Sequence, residues 1–458
     1  MEKNHLKYTS GLVMGILLLL MFLHLLPEFV IGDHHLKRVD LLSDVRPIVS
    51  EVEESDSLTP LLPVVKPAFV DTCRAGLTCI EDFSDSTCRG MLPFYRALDE
   101  AEVTHRPVRI AYFGDSFIEA DILTADLREM LQKKYGGRGV GFVPITSQVY
   151  GFRPTVRHSF YGWESHCAMD SLGFDRSLQG ISGYYFIPSS GAYVELKGQK
   201  KYASLLDTCT RASIYFYNKG KVVLSACINQ QEEVTESFDP SNELQQMVVQ
   251  GKIGVVRWKV HQADSTYFWG ACMDGNQGIS VDNFSLRGSS GLSLRSIPMS
   301  TLRQFNRLRP YDLIVLQFGL NVATERGRIY DKYLAGMNTV IQHFKAAFPQ
   351  AGILVVSVGD RNYKTEEGDF RTMPGIKNLI RYQQQLAAEG GVAFWNLYQA
   401  MGGESSMQTL VEATPPMANL DYTHINFRGG RYLAGLLYET LVYGKEQYDK
   451  RRAYEEVP

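Results

Sequence analysis

The sequence predicts an α/β protein. A parallel sheet with helices on both faces is split by an inserted β-sandwich and led by an N-terminal membrane anchor. Three observations carry this reading. Apolar runs of five or six residues alternate with amphipathic helical spacing before residue 137 and again after residue 281, the rhythm of βαβ units. Between them, residues 138–280 switch to period-2 alternation punctuated by Gly, Asn and Asp. At the start, Lys3 and Lys7 precede an apolar stretch that reaches Ile31.

Within residues 1–31 the chain is apolar from Gly11 to Leu26, and only His24 and Glu28 are strongly polar after that run begins. About 20 such residues span a bilayer as a helix. The short basic tail favours an orientation with the bulk of the chain exported. Pro27, Glu28, Phe29 and Val30 offer no small-x-small cleavage site, so an uncleaved anchor in the inner membrane is expected. A cleaved signal peptide is the alternative. Residues 32–80 follow, with mixed charge, Pro60, Pro63, Pro67 and little periodicity, and read as a stalk.

The α/β domain is expected over residues 81–137 and 281–458. Leu92 to Leu98 mark a short amphipathic helix, and residues 108–113 read as a buried strand. Gly114, Asp115 and Ser116 form a tight turn. Leu123, Leu127, Met130 and Leu131 then recur at helical spacing until Gly136-Gly137 stops the helix. Ser116 therefore leaves the carboxyl end of a strand, where open α/β sheets place their sites. The helix start beside it offers free N–H groups to a developing anion.

The insert's strands show at residues 192–196, 213–217, 222–225 and 255–260. Its Tyr184, Tyr185, Tyr267 and Trp269 have two readings, as sandwich core or as exposed rings that stack on sugars. After it, strands are expected at 281–286, 313–318, 353–358 and 392–396. The helices between them are marked by Pro298, by Met337, Ile341 and Phe344, and by Ile376, Leu379 and Leu386. A closing helix over 428–443 turns Leu433, Leu437 and Leu441 inward.

A net charge of −3 over 458 residues supplies no basic field for nucleic acid. The seven cysteines include no Cys-x-x-Cys and no Cys/His grouping at zinc spacing, so no zinc site is expected; acyl transfer at a serine implies neither metal nor organic cofactor. Cys73, Cys79 and Cys88 lie close together. One disulfide among them and a set of buried thiols both suit an exported chain.

Four loops at strand ends or before the last helix carry Ser116, Gly288, Asn321 and the run Asp421-Tyr422-Thr423-His424. Serine is a weak nucleophile until a base takes its proton, and histidine has the pKa to do so near neutrality. An acid on the other ring nitrogen fixes the tautomer and stabilises the imidazolium. Asp421, three residues before His424, can do that from the same loop. An oxyanion needs donors, and the N–H groups of Ser116 and Gly288 with the side-chain amide of Asn321 would make three. Gly291 competes with Gly288, which follows the strand more directly. Asp360-Arg361 reads as a surface ion pair or loop support. Glu119 and Asp121 read as charges favoured at a helix N-terminus.

In this order, Gly114-Asp115-Ser116, Gly288, Gly319-x-Asn321 and Asp421-x-x-His424 resemble the four blocks of the SGNH (GDSL) hydrolase family. The resemblance covers roughly residues 105–137 and 281–443. It implies a flavodoxin-like sheet, Ser116 as nucleophile, Asp421 and His424 completing a triad, and an oxyanion hole from Ser116, Gly288 and Asn321. Two departures stand out. Many members carry Asp after the third-block Asn, where this chain has Val322, and in several His follows the nucleophile, where this chain has Phe117.

Anchor, hydrolase core and β insert together resemble exported peptidoglycan O-acetylesterases and related bacterial carbohydrate esterases. In those, the insert is similar to a carbohydrate-binding module. The expected function is a serine esterase that removes O-acetyl groups from a cell-envelope glycan on the periplasmic or extracellular side. The first alternative is an O-acetyltransferase partnered by a membrane-bound O-acyltransferase. The second is a non-catalytic glycan-binding protein.

Overall fold

The computed structural model describes residues 5–25, 29–31, 34–36, 69–85, 90–170 and 172–456. They fall into two units, 1–68 and 69–458. The first holds the helix His5–Leu25 and a small antiparallel pair, Phe29–Ile31 with His34–Leu36. Leu12, Leu17, Met21 and Phe22 on that helix are exposed. Among the described residues no helix is long and apolar enough to cross a membrane. A helix thus stands where the anchor is expected. Residues 37–68 of the expected stalk, and Cys88, lie outside the described residues.

The second unit is built on five parallel strands. These are β1 (Val108–Gly114), β2 (Ile279–Ser285), β3 (Leu313–Gln317), β4 (Gly352–Val356) and β5 (Ala393–Trp395). Their spatial order is β2-β1-β3-β4-β5, the flavodoxin-like order. Every residue of β1, β3 and β4 is buried, as expected of strands covered on both faces. A strand order that reverses direction at β1 goes with helices on both faces. Thr124–Tyr135 packs against Phe427–Glu456, whereas Asp331–Ala347 packs against Met299–Leu308 and Pro374–Gly390.

The strand ends stand level. Gly114 is in register with Ser285 on one side and Gln317 on the other, Gln317 with Val356, and Val356 with Trp395. The loops that follow therefore leave from one rim. Gly114 permits the closeness there, since a Cβ would lie 2.8 Å from Ile118 Cδ1 and 3.0 Å from the Gln317 carbonyl oxygen.

The stalk ends earlier than the sequence suggests. Glu81–Asp82 adds an antiparallel edge to β5, and Cys73 is bonded to Cys79. The carbonyl of Thr78 accepts from Trp395 Nε1 at 2.9 Å and Thr440 Oγ1 at 3.0 Å. Residues 69–85 are thus part of the α/β unit.

The insert departs from a two-sheet sandwich. Its nine strands share one hydrogen-bonded antiparallel sheet. The long strand Tyr184–Gly198 is paired along one half by Val255–Ala263 and meets Thr266–Asp274 in the other half, at Phe186 and Phe268. The sheet folds on itself around a second core that includes Val194, Phe216, Leu224, Trp258 and Phe268. The parallel strand β2 begins at Ile279, two residues inside the expected insert.

The insert is joined to the α/β part by rings and buried charges. Phe142 and Tyr215 from the insert belong to the main core, with ring centroids 5.0 Å and 5.1 Å from Phe284 and Phe305 respectively. Arg309, 1% exposed, donates Nε to Asp282 Oδ2 at 2.6 Å and Nη1 to Asp274 Oδ2 at 2.5 Å. Asp282 lies on β2 and Asp274 on the insert. Removing the guanidinium leaves two buried carboxylates short of their cation, a change that typically costs about 3–5 kcal/mol. Arg309→Met should therefore lower unfolding free energy by several kcal/mol in a urea titration. Far-ultraviolet dichroism and tryptophan emission, which weight the two parts differently, should shift together; a shift in only one signal contradicts the seam.

Candidate active site

Beyond Gly114 the chain turns at Asp115 into a short 3₁₀ helix, Ser116–Asp121. The α-helix begins only at Thr124. Ser116 is thus not at the start of an α-helix, and the expected contribution of such a helix to anion binding is not available there. The turn breaks at Ala120 and Asp121, with φ of 54° and 64°. Left-handed backbone at non-glycine residues stores strain and persists where surroundings over-determine it.

Asp121 supplies that restraint. It is fully buried, not a solvent-facing helix charge, which corrects the expectation. Its carboxylate accepts from Thr124 Oγ1 at 2.8 Å, Thr155 Oγ1 at 2.5 Å, Arg153 Nε at 2.9 Å and Arg128 Nη2 at 3.2 Å. Burial alone would raise its pKa, but Arg128 and Arg153 outweigh it and hold the group well below the usual carboxylate range.

Ser116, His424 and Asp421 meet at the rim. His424 Nδ1 lies 2.7 Å from Asp421 Oδ2, which assigns the proton to Nδ1. Nε2 is then the acceptor for the Ser116 hydroxyl at 3.0 Å. The other carboxylate oxygen of Asp421 accepts the backbone N–H of Thr423 and of His424, each at 3.0 Å. Partial burial pushes the Asp421 pKa up, yet these bonds and the imidazole outweigh it and keep the group below the ordinary value. The loop is a small bridge, Ala418 with Ile425, closed by Tyr422 at φ 52°. Phe370 stacks on Tyr422 at 3.7 Å and buttresses it.

Gly288 and Gly291 separate cleanly. Gly291 is buried, its N–H donates to Ser289 Oγ at 3.0 Å, and a Cβ there would strike Phe318 and Met337. Gly288 sits in the exposed turn after β2. Arg287 beside it forms an ion pair with Glu119 on the Ser116 turn, so one salt bridge ties the two loops. Asn321 differs from the simple expectation. Its amide nitrogen donates to the Ser289 carbonyl at 3.0 Å and to Asp115 Oδ2 at 3.3 Å, so both hydrogens are engaged.

The sequence places Asp115 only in a tight turn. It does cap, accepting from the Phe117 N–H at 3.0 Å, but it is also 1% exposed and faces Asn321. Asp360 is buried too, not part of a surface pair. It accepts from Thr372 Oγ1 and the Met407 N–H, each at 2.8 Å, and so supports the loop that carries Phe370. Tyr185 and Trp269 are each 3% exposed and belong to the core, so only Tyr184 and Tyr267 of the four aromatics keep partial exposure. No group of acidic, His or Cys side chains that could hold a metal occurs among the described residues.

No family model and no curated protein matches the sequence. Among solved structures, a peptidoglycan O-acetylesterase is 19% identical, covers 80% of this chain and 99% of its own, and superposes with a TM-score of 0.66. The two share a fold. The α/β part alone is too short to make a match of that extent, so the shared fold includes the inserted sheet. A family two carbohydrate esterase from Clostridium thermocellum is 13% identical over 61% of this chain and 97% of its own, at a TM-score of 0.28. An acetyl xylan esterase is 15% identical over 35% and 80%, at 0.25.

Burial raises the Asp115 pKa from 3.8 to about 6, with the Phe117 N–H and His424 pulling the other way. A raised folded-state value means the native protein keeps a proton that the unfolded chain has already released. Its stabilising contribution is complete below pH 3.8 and is lost as pH rises to about 6. The change amounts to roughly 3 kcal/mol at most. Asp115→Asn should flatten the fall in unfolding free energy between pH 4 and 6.5, measured by denaturant titration at each pH. Parallel curves for the two proteins would contradict the assignment.

Proposed function

We propose that the protein is a serine esterase that removes O-acetyl groups from a cell-envelope glycan. The observation that carries the reading is the unbroken chain of contacts from Ser116 Oγ through His424 to Asp421, at 3.0 Å and 2.7 Å. Serine, histidine and aspartate at these distances match what acyl transfer requires. The fold shared with a peptidoglycan O-acetylesterase supports an acetylated glycan as substrate.

In this mechanism Ser116 Oγ attacks the acetyl carbonyl as His424 Nε2 takes its proton. Asp421 stabilises the imidazolium. The tetrahedral oxyanion accepts from the N–H groups of Ser116 and Gly288 and from the Asn321 amide, which releases Asp115 to do so. Collapse breaks the ester bond, and His424 returns the proton to the departing sugar oxygen. Water, deprotonated by the same imidazole, then attacks the acetyl-serine; collapse breaks the bond to Ser116 Oγ, the imidazolium returns the proton to Oγ, and acetate is released. The helix His5–Leu25 would hold the enzyme to the inner membrane with residues 69–456 exported; its exposed leucines support that role.

Purified full-length protein should release acetate from O-acetylated peptidoglycan and from a small aryl acetate without an added acceptor. Ser116→Ala and His424→Ala should each lower kcat by about 10³-fold or more. Asn321→Ala should cost about 10²–10³-fold. If Ser116→Ala slows acetate release no more than Lys252→Ala, an exposed change in the insert, the esterase reading fails. The anchor has its own check. Full-length protein should stay with membranes through an alkaline carbonate wash, and a chain starting at Gly32 should not; release of both removes the anchor.

A further inference from the structure

Left-handed backbone is costly for an aromatic residue, because its Cβ crowds the chain. Tyr422 has that backbone, at φ 52°, and stands between Asp421 and His424. The bonds that hold the pair span it. Asp421 Oδ1 accepts the N–H groups of Thr423 and His424 at 3.0 Å each, while Oδ2 meets His424 Nδ1 at 2.7 Å. The backbone at Tyr422 therefore sets how the carboxylate faces the imidazole. Relaxation of Tyr422 to a negative φ would redirect the chain after it and disturb all three bonds.

Two contacts from outside the loop hold Tyr422, and both come from one hairpin. Its strands, Asn362–Lys364 and Phe370–Thr372, pair Asn362 with Thr372 and Lys364 with Phe370. At the root, the Asn362 N–H donates to the Tyr422 carbonyl at 3.0 Å. Toward the tip, Phe370 lies on Tyr422, with ring centroids 3.7 Å apart and planes 11° from parallel.

The hairpin is firm at one end only. At the root, buried Asp360 accepts from Thr372 Oγ1 and the Met407 N–H, and the Met373 N–H donates to the Arg361 carbonyl, each at 2.8 Å. At the tip, Glu366, Glu367, Gly368 and Asp369 are exposed. A stacked aromatic pair contributes about as much as one left-handed residue costs. Loss of the Phe370 ring is therefore enough to free the turn, although the root stays in place.

We propose that Phe370 is a positioning residue that acts through Tyr422. Its ring keeps Tyr422 left-handed, and that turn keeps Asp421 on His424 Nδ1 with Nε2 toward the Ser116 hydroxyl. The hold on the loop stands on geometry alone; its effect on rate rests on the esterase reading.

The test uses full-length protein and joins a measurement free of turnover to a kinetic cycle. In hydrogen exchange read by mass spectrometry, Phe370→Ala should speed exchange over residues 418–426 by about fivefold or more and leave residues 108–114 unchanged. Phe370→Tyr, which keeps a ring, should match the wild type. On a small aryl acetate, Phe370→Ala should lower kcat by about tenfold with KM within about twofold, since only the alignment for proton transfer changes. Phe370→Tyr should bring kcat back to within about twofold of the wild type. Phe370→Leu keeps apolar cover without a stack and should cost about threefold or more; it keeps the proposal testable should Phe370→Ala fail to fold. Glycine takes left-handed backbone without strain. In a Tyr422→Gly background Phe370→Ala should therefore change kcat by less than about twofold. Unchanged exchange and kcat in Phe370→Ala, or an equal loss of kcat in both backgrounds, overturns the proposal. A wild type that hydrolyses no acetate ester removes the esterase reading, and the exchange arm alone then decides whether Phe370 holds the loop.

Discussion

The structure depends on a level edge. Parallel pairing sets Ser285, Gly114, Gln317, Val356 and Trp395 in one row across five strands. Parallel ladders are evenly spaced, so a slip of one residue on any strand would turn its side chains over and move its loop along the rim. Full burial of β1, β3 and β4 makes such a slip costly. The contact between Ser116 and His424, 308 residues apart in sequence, follows from that row and from the helix that returns behind it. The direction of winding reverses at β1, which opens the crevice where the residues meet.

Each loop on the edge is then fixed by a different polar contact. Arg287 with Glu119 links the turns after β2 and β1. Asp360 and the Phe370–Tyr422 stack support the histidine loop. Asp121, between Arg128 and Arg153, holds the left-handed turn after the serine. Because Arg153 comes from the insert, the geometry just after Ser116 depends on both parts of the unit. Arg309 joins the same two parts deeper in. The inserted sheet therefore braces the Ser116 turn and is not an appendage.

The residues that meet at the edge were legible in the sequence because each directly follows a run that can only be a buried strand, or sits just before a clear amphipathic helix. Ser116, Asn321 and the Asp421–His424 pair all have that address. The rest had none. Period-2 alternation says which residues share a face, but not what covers the outer face. The strand Thr266–Asp274 is buried almost throughout because the α/β core covers its second face, so Trp269 looked exposable and is not. Asp121 and Arg153 carry no periodic signal, since they lie in turns and meet only through tertiary packing. The Asp115 carboxyl was hidden for a similar reason: a Gly-Asp-Ser turn reads as polar and solvent-facing, and burial comes from segments far away in the chain.

In the proposed reaction Asn321 would bind a transient charge from a fixed position. Its amide is tied to the Ser289 carbonyl at 3.0 Å and to Asp115 at 3.3 Å. The longer bond is the weaker one, and Asp115 loses little when it breaks, since the Phe117 N–H still holds its other oxygen. In the proposed reaction an oxyanion would gain the released N–H as a charge-assisted bond, the stronger kind. The first bond, to Ser289, meanwhile keeps the amide plane in place. The donor is thus pre-positioned by one partner and lightly occupied by another. Such an arrangement orients a group for the transition state without leaving a buried N–H unsatisfied in the resting molecule.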